Sequence, residues 1–127
     1  MRATTGDETA TILMVEDEAL VRMIGADMIE EAGFHVLEAA SADEAIEILE
    51  HASNVKLIFT DIDMPGSMDG IALAKLVHER WPHVRLVLTS GHRNVIEKDL
   101  PDDGRFVPKP YTQAGVLEQI KDLLPGE

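Results

Sequence analysis

The feature that most constrains this chain is a series of short apolar runs without period-two alternation, separated by stretches of helical periodicity. Ile12-Leu13-Met14-Val15, Leu57-Ile58-Phe59-Thr60 and Leu86-Val87-Leu88 are strand-length, and nothing in them marks one face as solvated. A strand that is apolar on both faces needs cover on both, as in a parallel sheet layered between helices. The intervening stretches supply that cover. After Glu16-Asp17, Leu20, Ile24 and Met28 recur at helical spacing until Gly33, a residue suited to a helix C-terminus. Residues 34–37 read as a second strand. Ser41-Ala42-Asp43-Glu44 is a capping-box pattern opening a helix whose stripe is Ala45, Ile48, Leu49 and Ala52. Asp69 is suited to cap a helix carrying Ile71, Leu73, Leu76 and Val77, which Pro82 ends. Phe106-Val107 reads as a short fifth strand, and Thr112 caps a last helix with Val116, Leu117, Ile120, Leu123 and Leu124. The order is a fivefold β-α alternation, for which right-handed crossovers are expected.

At 127 residues, with no internal repeat, low-complexity tract or linker, the chain is expected to form one α/β domain over residues 10–125. Residues 1–9 and the last three read as flexible. Without cysteine there is no disulfide, thiol chemistry or thiolate zinc site. His35, His51, His78, His83 and His92 show no ligand spacing on one helix face and read as surface or packing residues. The formal charge of −13 argues against nucleic acid as a partner, since phosphate backbones are bound mainly by Lys and Arg. No stretch approaches the roughly 20 apolar residues of a membrane span, and the polar first nine residues lack a signal-peptide core. The expectation is a cytoplasmic protein with no membrane contact.

Two of the strand-like runs stop at carboxylates: the first at Glu16-Asp17, the third at Asp61. In a β-α alternation both would reach the carboxyl edge of one sheet, the edge where such folds bind ligands. Carboxylates crowded together repel unless a hard cation sits among them, and a few oxygen ligands suit Mg²⁺ (or Mn²⁺). Met64-Pro65-Gly66 then turns the chain after Asp61. Read singly, Asp61 is a turn aspartate and Glu16-Asp17 a favourable charge at a helix N-terminus.

Taken in order, Glu16-Asp17, Asp61, Met64-Pro65-Gly66, Asp69-Gly70, Thr89-Ser90-Gly91 and Lys109-Pro110 resemble the motifs of response-regulator receiver domains, over almost the whole chain. The resemblance implies a flavodoxin-like doubly wound (βα)5 fold with a five-stranded parallel sheet of order 2-1-3-4-5, and residues 10–125 as the receiver domain. It implies phosphoryl transfer from a histidine kinase or histidine phosphotransfer protein onto Asp61, with no classical enzyme activity and with a downstream protein target as a further partner. Asp17 then resembles the direct Mg²⁺ ligand, with Glu16 holding the ion or its waters and with Asp61 and the Asp63 backbone carbonyl completing the protein share. The family more often has two aspartates where Glu16-Asp17 stands. Lys109 resembles the lysine that pairs with the acceptor and then with the phosphoryl group, and Pro110 is expected in cis. Phe106 stands where the family commonly has an aromatic side chain that turns inward on activation.

The resemblance also implies a hydroxyl at the end of the fourth strand, where Thr89 and Ser90 both stand. Placing it at Ser90 leaves Arg85 at an exposed strand entrance, whereas Thr89 would shift Arg85 inward at a desolvation cost, so Ser90 is favoured. Trp81, before Pro82, is expected at the amino edge of the sheet, away from the carboxylates. Residues 91–104 form a shorter fourth connection than the family's usual loop and helix, so its output surface does not transfer. The chain fits a stand-alone regulator or the receiver of a hybrid kinase. Two other readings compete. Asp61-Ile62-Asp63 matches the nucleophile and general acid of haloacid-dehalogenase-type phosphatases, although that motif belongs on a first strand. An interaction module that no longer accepts phosphate would be expected to lack a site residue, and none is missing.

Overall fold

In the computed structural model, which describes residues 10–66, 68–92, 100, 101 and 104–125, the parallel sheet is formed by β1 (Thr11–Val15), β2 (His35–Ala39), β3 (Val55–Asp61), β4 (Arg85–Ser90) and β5 (Arg105–Pro108). The spatial order is β2-β1-β3-β4-β5, the doubly wound order. Among the described residues there are four helices: α1 (Ala19–Glu31), α2 (Ala42–His51) and α3 (Gly70–Arg80) join successive strands, and α4 (Gln113–Leu123) follows β5. The expected flexible residues 1–9, the last two of the three expected flexible C-terminal residues, and residues 93–99 of the β4–β5 connection lie outside the described residues.

Each sheet face has its own core. Leu13, Val15, Ile58, Leu86 and Leu88 point to Ala45 and Leu49 of α2 and Leu73 and Val77 of α3. Their sequence neighbours Ile12, Met14, Leu57, Phe59 and Val87 point the other way, to Ile29 of α1 and Val116, Ile120 and Leu123 of α4. This is why β1, β3 and β4 show no alternation: consecutive side chains enter two different apolar layers. The edge strand β2 departs from that expectation. His35, Leu37 and Glu38 are exposed, because β2 is an edge strand with only one strand neighbour. It also starts one residue later than expected, with Phe34 buried just ahead of it.

The helix boundaries follow from local chemistry. The Ser41 hydroxyl accepts from the Glu44 amide at 3.1 Å, while the Glu44 carboxylate accepts from the Ala40 amide at 2.8 Å. Asp69 Oδ1 accepts from the Ala72 amide at 2.9 Å and Thr112 Oγ1 from the Gly115 amide at 3.0 Å, so all three expected caps form. Gly33, at φ 102°, takes the left-handed turn after α1 that a side chain would disfavour.

On α1 the apolar stripe is not the buried face. Leu20 is 67% exposed and Ile24 49%, and Met28 is half-buried, while Gly25, Ala26 and Ile29 face the sheet. The inward face consists largely of small residues because the helix lies close to the sheet: a Cβ on Gly25 would stand 2.7 Å from Met14 Cε and 2.9 Å from the Tyr111 hydroxyl. Periodicity finds the helix but cannot tell an apolar stripe that faces the core from one that faces solvent. We expect Ile29→Ala to lower the urea unfolding free energy by about 2–5 kcal/mol. Leu20→Ala should change it by less than about 0.5 kcal/mol.

Candidate functional site

All five strands are parallel, so the carboxyl ends of β1, β3, β4 and β5 open on one edge of the sheet. Glu16 and Asp17 follow β1, Asp61 ends β3, Ser90 ends β4 and Lys109 follows β5. The turn after Asp61 is drawn in tightly. Gly70 donates its amide to the Ile62 carbonyl at 2.9 Å, and a Cβ there would lie 2.2 Å from the Asp61 carbonyl oxygen. The Asp69-Gly70 pair therefore caps α3 and lets its first turn abut the end of β3.

Lys109 occupies the centre. Its Nζ donates to Glu16 Oε1 at 2.9 Å and to Asp61 Oδ2 at 3.1 Å, with Glu16 wholly buried and Asp61 4% exposed. Glu16 Oε2 accepts from the Glu18 amide at 3.1 Å, so with Lys109 on Oε1 the side chain is anchored at both oxygens, and Arg22 donates to the Glu16 backbone carbonyl at 2.9 Å. Carboxylate oxygens of Glu16, Asp17 and Asp61 lie within 4.8 Å of one another, an all-oxygen set of the kind a hard divalent cation requires. Beside them opens a cleft of about 210 Å³, lined by Asp17, Glu18, Asp61, Asp63, Gly91, His92 and Lys109.

The electrostatics follow from burial among like charges. Burial holds the Glu16 carboxyl above its ordinary range; the hydrogen bonds from Lys109 and the Glu18 amide oppose this, and the Asp61 charge adds to it. Burial alone would lower the Lys109 ammonium, but its hydrogen bonds to Glu16 and Asp61 overcome that and raise it. Lys109 is thus a cation at any physiological pH. Tyr111, edge-on to Phe59 at a centroid distance of 5.3 Å, has its hydroxyl raised chiefly by burial.

The expected residues come together with different clarity. The Lys109–Pro110 peptide is cis. Thr89 pairs with Asp61 in register and Ser90 extends one residue further, so the two hydroxyls leave β4 on opposite faces. Ser90 Oγ donates to Asp63 Oδ2 and accepts from the His92 amide at 3.0 Å. The wholly buried Thr89 hydroxyl has no hydrogen-bond partner among the described residues. Leu88 pairs with Phe106, so Ser90, two residues on, shares the face of Phe106, which packs half-buried against the α2–α3 side. Arg85 does not distinguish the two hydroxyls. Arg85 is half-buried, with its guanidinium donating to the Leu123 carbonyl at 3.2 Å, and β4 contains both hydroxyls without sliding. Face, rather than register along the strand, separates Thr89 from Ser90. Trp81 caps α3 at the opposite edge of the sheet, as expected, under the Arg80 guanidinium at 4.4 Å.

Sequence reasoning missed Tyr111 and the Asp63 side chain, having considered only the Asp63 carbonyl. Tyr111 directly follows Lys109-Pro110, and its ring packs against Phe59 with its hydroxyl close to Gly25, neighbours far apart in sequence.

This edge, a buried aspartate and glutamate bridged by a lysine at the mouth of a β2-β1-β3-β4-β5 sheet, is that of a receiver. The chain belongs to the response regulator receiver domain family, whose model matches residues 12–121. It is 35% identical over 127 residues to the sensor kinase CckA of Brucella abortus, covering 97% of this chain and 13% of that protein. It is 31% identical over 116 residues to the response regulator receiver protein CpdR of the same organism, covering 89% of this chain and 95% of CpdR. The chain thus spans a small part of one curated relative and nearly all of another. Among solved structures, a response regulator receiver protein from Sinorhizobium medicae superimposes with a TM-score of 0.85 at 29% identity, covering 94% of this chain and 97% of that one. The receiver domain of the hybrid histidine kinase CckA gives 0.77 at 33%, covering 91% and 99%. The haloacid-dehalogenase alternative falls with this assignment, since the Asp61-Ile62-Asp63 motif ends the third strand of a receiver sheet.

The raised Glu16 carboxyl carries a stability consequence with a definite sign. An acid whose pKa is raised on folding favours the fold in its protonated form, so its contribution is complete below the ordinary value of 4.5 and is lost as pH rises through the folded value. Glu16→Gln keeps the shape and removes the charge. In metal-free thermal melts from pH 4 to pH 8, this variant should lose that component of the pH dependence and unfold at a higher temperature than the parent at pH 8. An identical pH profile in the two proteins would contradict the assignment.

Proposed function

We propose that this receiver accepts a phosphoryl group on Asp61 from a histidine kinase or histidine phosphotransfer protein, with Mg²⁺ (or Mn²⁺) as cofactor, and passes the change to a downstream protein. The observation that carries the reading is the Lys109 bridge: one ammonium holds the Asp61 carboxylate at the mouth of a cleft that also opens on Asp17, Asp63 and Gly91. Asp61 Oδ is the nucleophile. As its P–O bond forms, the P–N bond to the donor imidazole breaks, and the imidazole leaves with a proton. Asp17, Asp61 and the Asp63 carbonyl would hold the cation, with Glu16 behind them; when bound, it neutralises the carboxylates and the incoming phosphoryl oxygens. Lys109 can then follow the charge from the carboxylate to a phosphoryl oxygen. Gly91 lines the cleft with no side chain to obstruct the donor.

Ser90 is assigned as the hydroxyl that binds the phosphoryl group and Phe106 as the aromatic that responds, because the two share one face of the sheet. The acidic surface, −13 overall, suits protein partners rather than nucleic acid. Among the described residues no helix is long and apolar enough to cross a membrane. The reading sets the exchange in the cytoplasm. It fits a stand-alone regulator, the context of CpdR, and equally the receiver of a hybrid kinase, the context of CckA. Receivers are signalling domains, and self-phosphorylation and self-dephosphorylation are the only turnover expected.

Acetyl phosphate with Mg²⁺ should add one phosphoryl group to the protein by intact mass. Asp61→Asn should remain folded and unlabelled, and chelation of the metal should abolish labelling of the parent. Equal labelling of Asp61→Asn would remove Asp61 from the role.

A further inference from the structure

The Ser90 hydroxyl is already committed before any phosphoryl group arrives. It carries one proton, and that proton is donated to Asp63 Oδ2; one of its lone pairs accepts the His92 amide at 3.0 Å. Asp63 is itself tied to the acceptor, since its amide donates to Asp61 Oδ1 at 3.3 Å. Three hydrogen bonds therefore run in series from His92 through the buried Ser90 and then Asp63 to Asp61, beside the cleft that His92, Asp63 and Asp61 line. The bond from a hydroxyl to a carboxylate is the strong, charge-assisted kind.

We propose that the Asp63 side chain is a positioning residue that latches the Ser90 hydroxyl in the resting state and sets how readily the domain switches. The inference rests on the reading of Asp61 as acceptor and Ser90 as switch hydroxyl, and it assigns the Asp63 carboxylate a task separate from that of its backbone carbonyl. A hydroxyl with one proton cannot donate to Asp63 and to a phosphoryl oxygen on Asp61 at once. The two acceptors compete, and the resting and charged arrangements are two positions of the same proton donor. Release costs the Asp63–Ser90 bond, but Asp63 is only half-buried on the rim of the cleft, so water can take over its oxygen. The latch is thus reversible and its strength tunes the population of the switched state without altering the acceptor.

The test uses beryllofluoride, a stand-in for the phosphoryl group on Asp61, titrated at fixed Mg²⁺ into the full chain and followed by amide NMR. Asp63→Asn keeps the backbone carbonyl and the side-chain shape but replaces a charged acceptor with a neutral one. It should bind beryllofluoride about five to ten times more tightly than the parent, the difference expected between a charge-assisted and a neutral hydrogen bond. In the metal-free protein, before any ligand is added, its Ser90 and His92 amide signals should move toward their beryllofluoride-bound positions. In a Ser90→Ala background the same Asp63→Asn change should alter affinity by less than about twofold, because no hydroxyl remains to release. An equal gain with and without Ser90 would mean that Asp63 acts only by repelling the anion, and would overturn the latch. Unmoved Ser90 and His92 signals in metal-free Asp63→Asn would overturn it too. Failure of the parent to bind beryllofluoride would instead strike the phosphoacceptor reading, while the metal-free signals would still report on the latch.

Discussion

Everything at the functional edge depends on one lysine holding two buried carboxylates. Glu16 and Asp61 come from strands brought side by side by the sheet, and their charges would repel in an environment that excludes water. Lys109, just past the end of β5, relieves that repulsion at 2.9 and 3.1 Å. The arrangement is costly to break and cheap to re-pair. Removing the lysine leaves two uncompensated buried carboxylates, whereas supplying another anion beside Asp61 gives Lys109 a new partner at little loss. A site of this kind is suited to gaining and losing a phosphoryl group.

The glutamate where two aspartates are more usual finds its physical reason here. One extra methylene lets the carboxylate of Glu16 reach Lys109 with one oxygen and the Glu18 amide with the other, so it is fixed from two directions while wholly buried. Asp17, next in sequence, is left to face the cleft. The acidic pair is divided between a counter-ion to Lys109 and a residue that faces the cleft.

Much of the fold was legible because β1, β3 and β4 bury both faces and Ser41, Asp69 and Thr112 cap their helices as their side chains dictate. The limits were equally physical. Leu20 and Ile24 carry helical periodicity but lie on the outside of α1, while Gly25, Ala26 and Ile29 face the sheet, and at Gly25 the helix lies too near Met14 and Tyr111 for a larger residue. The site residues could be named because each stands at or just after a strand end, and their roles came only from the family resemblance; the contacts among them could not be read. Whether Thr89 or Ser90 meets the phosphoryl group turns on sheet face and on Asp63, a neighbour distant by 27 positions that strand-by-strand reading does not reach. Tyr111 escaped notice for the same reason, its surroundings being assembled from β1, α1 and β3.

The central claim is that the carboxyl edge of this sheet gathers Asp17, Asp61 and the Asp63 carbonyl into one divalent cation site. Paramagnetic Mn²⁺ tests it directly through the distance-dependent broadening of amide signals. Substoichiometric Mn²⁺ should erase the signals of Asp17, Ile62, Asp63 and Gly91 first, should leave the Trp81 indole and the α3–β4 turn at the opposite edge sharp, and should be displaced by excess Mg²⁺. Broadening centred on the exposed acidic residues of α1 or α2, with the ends of β1 and β3 spared, would contradict the account.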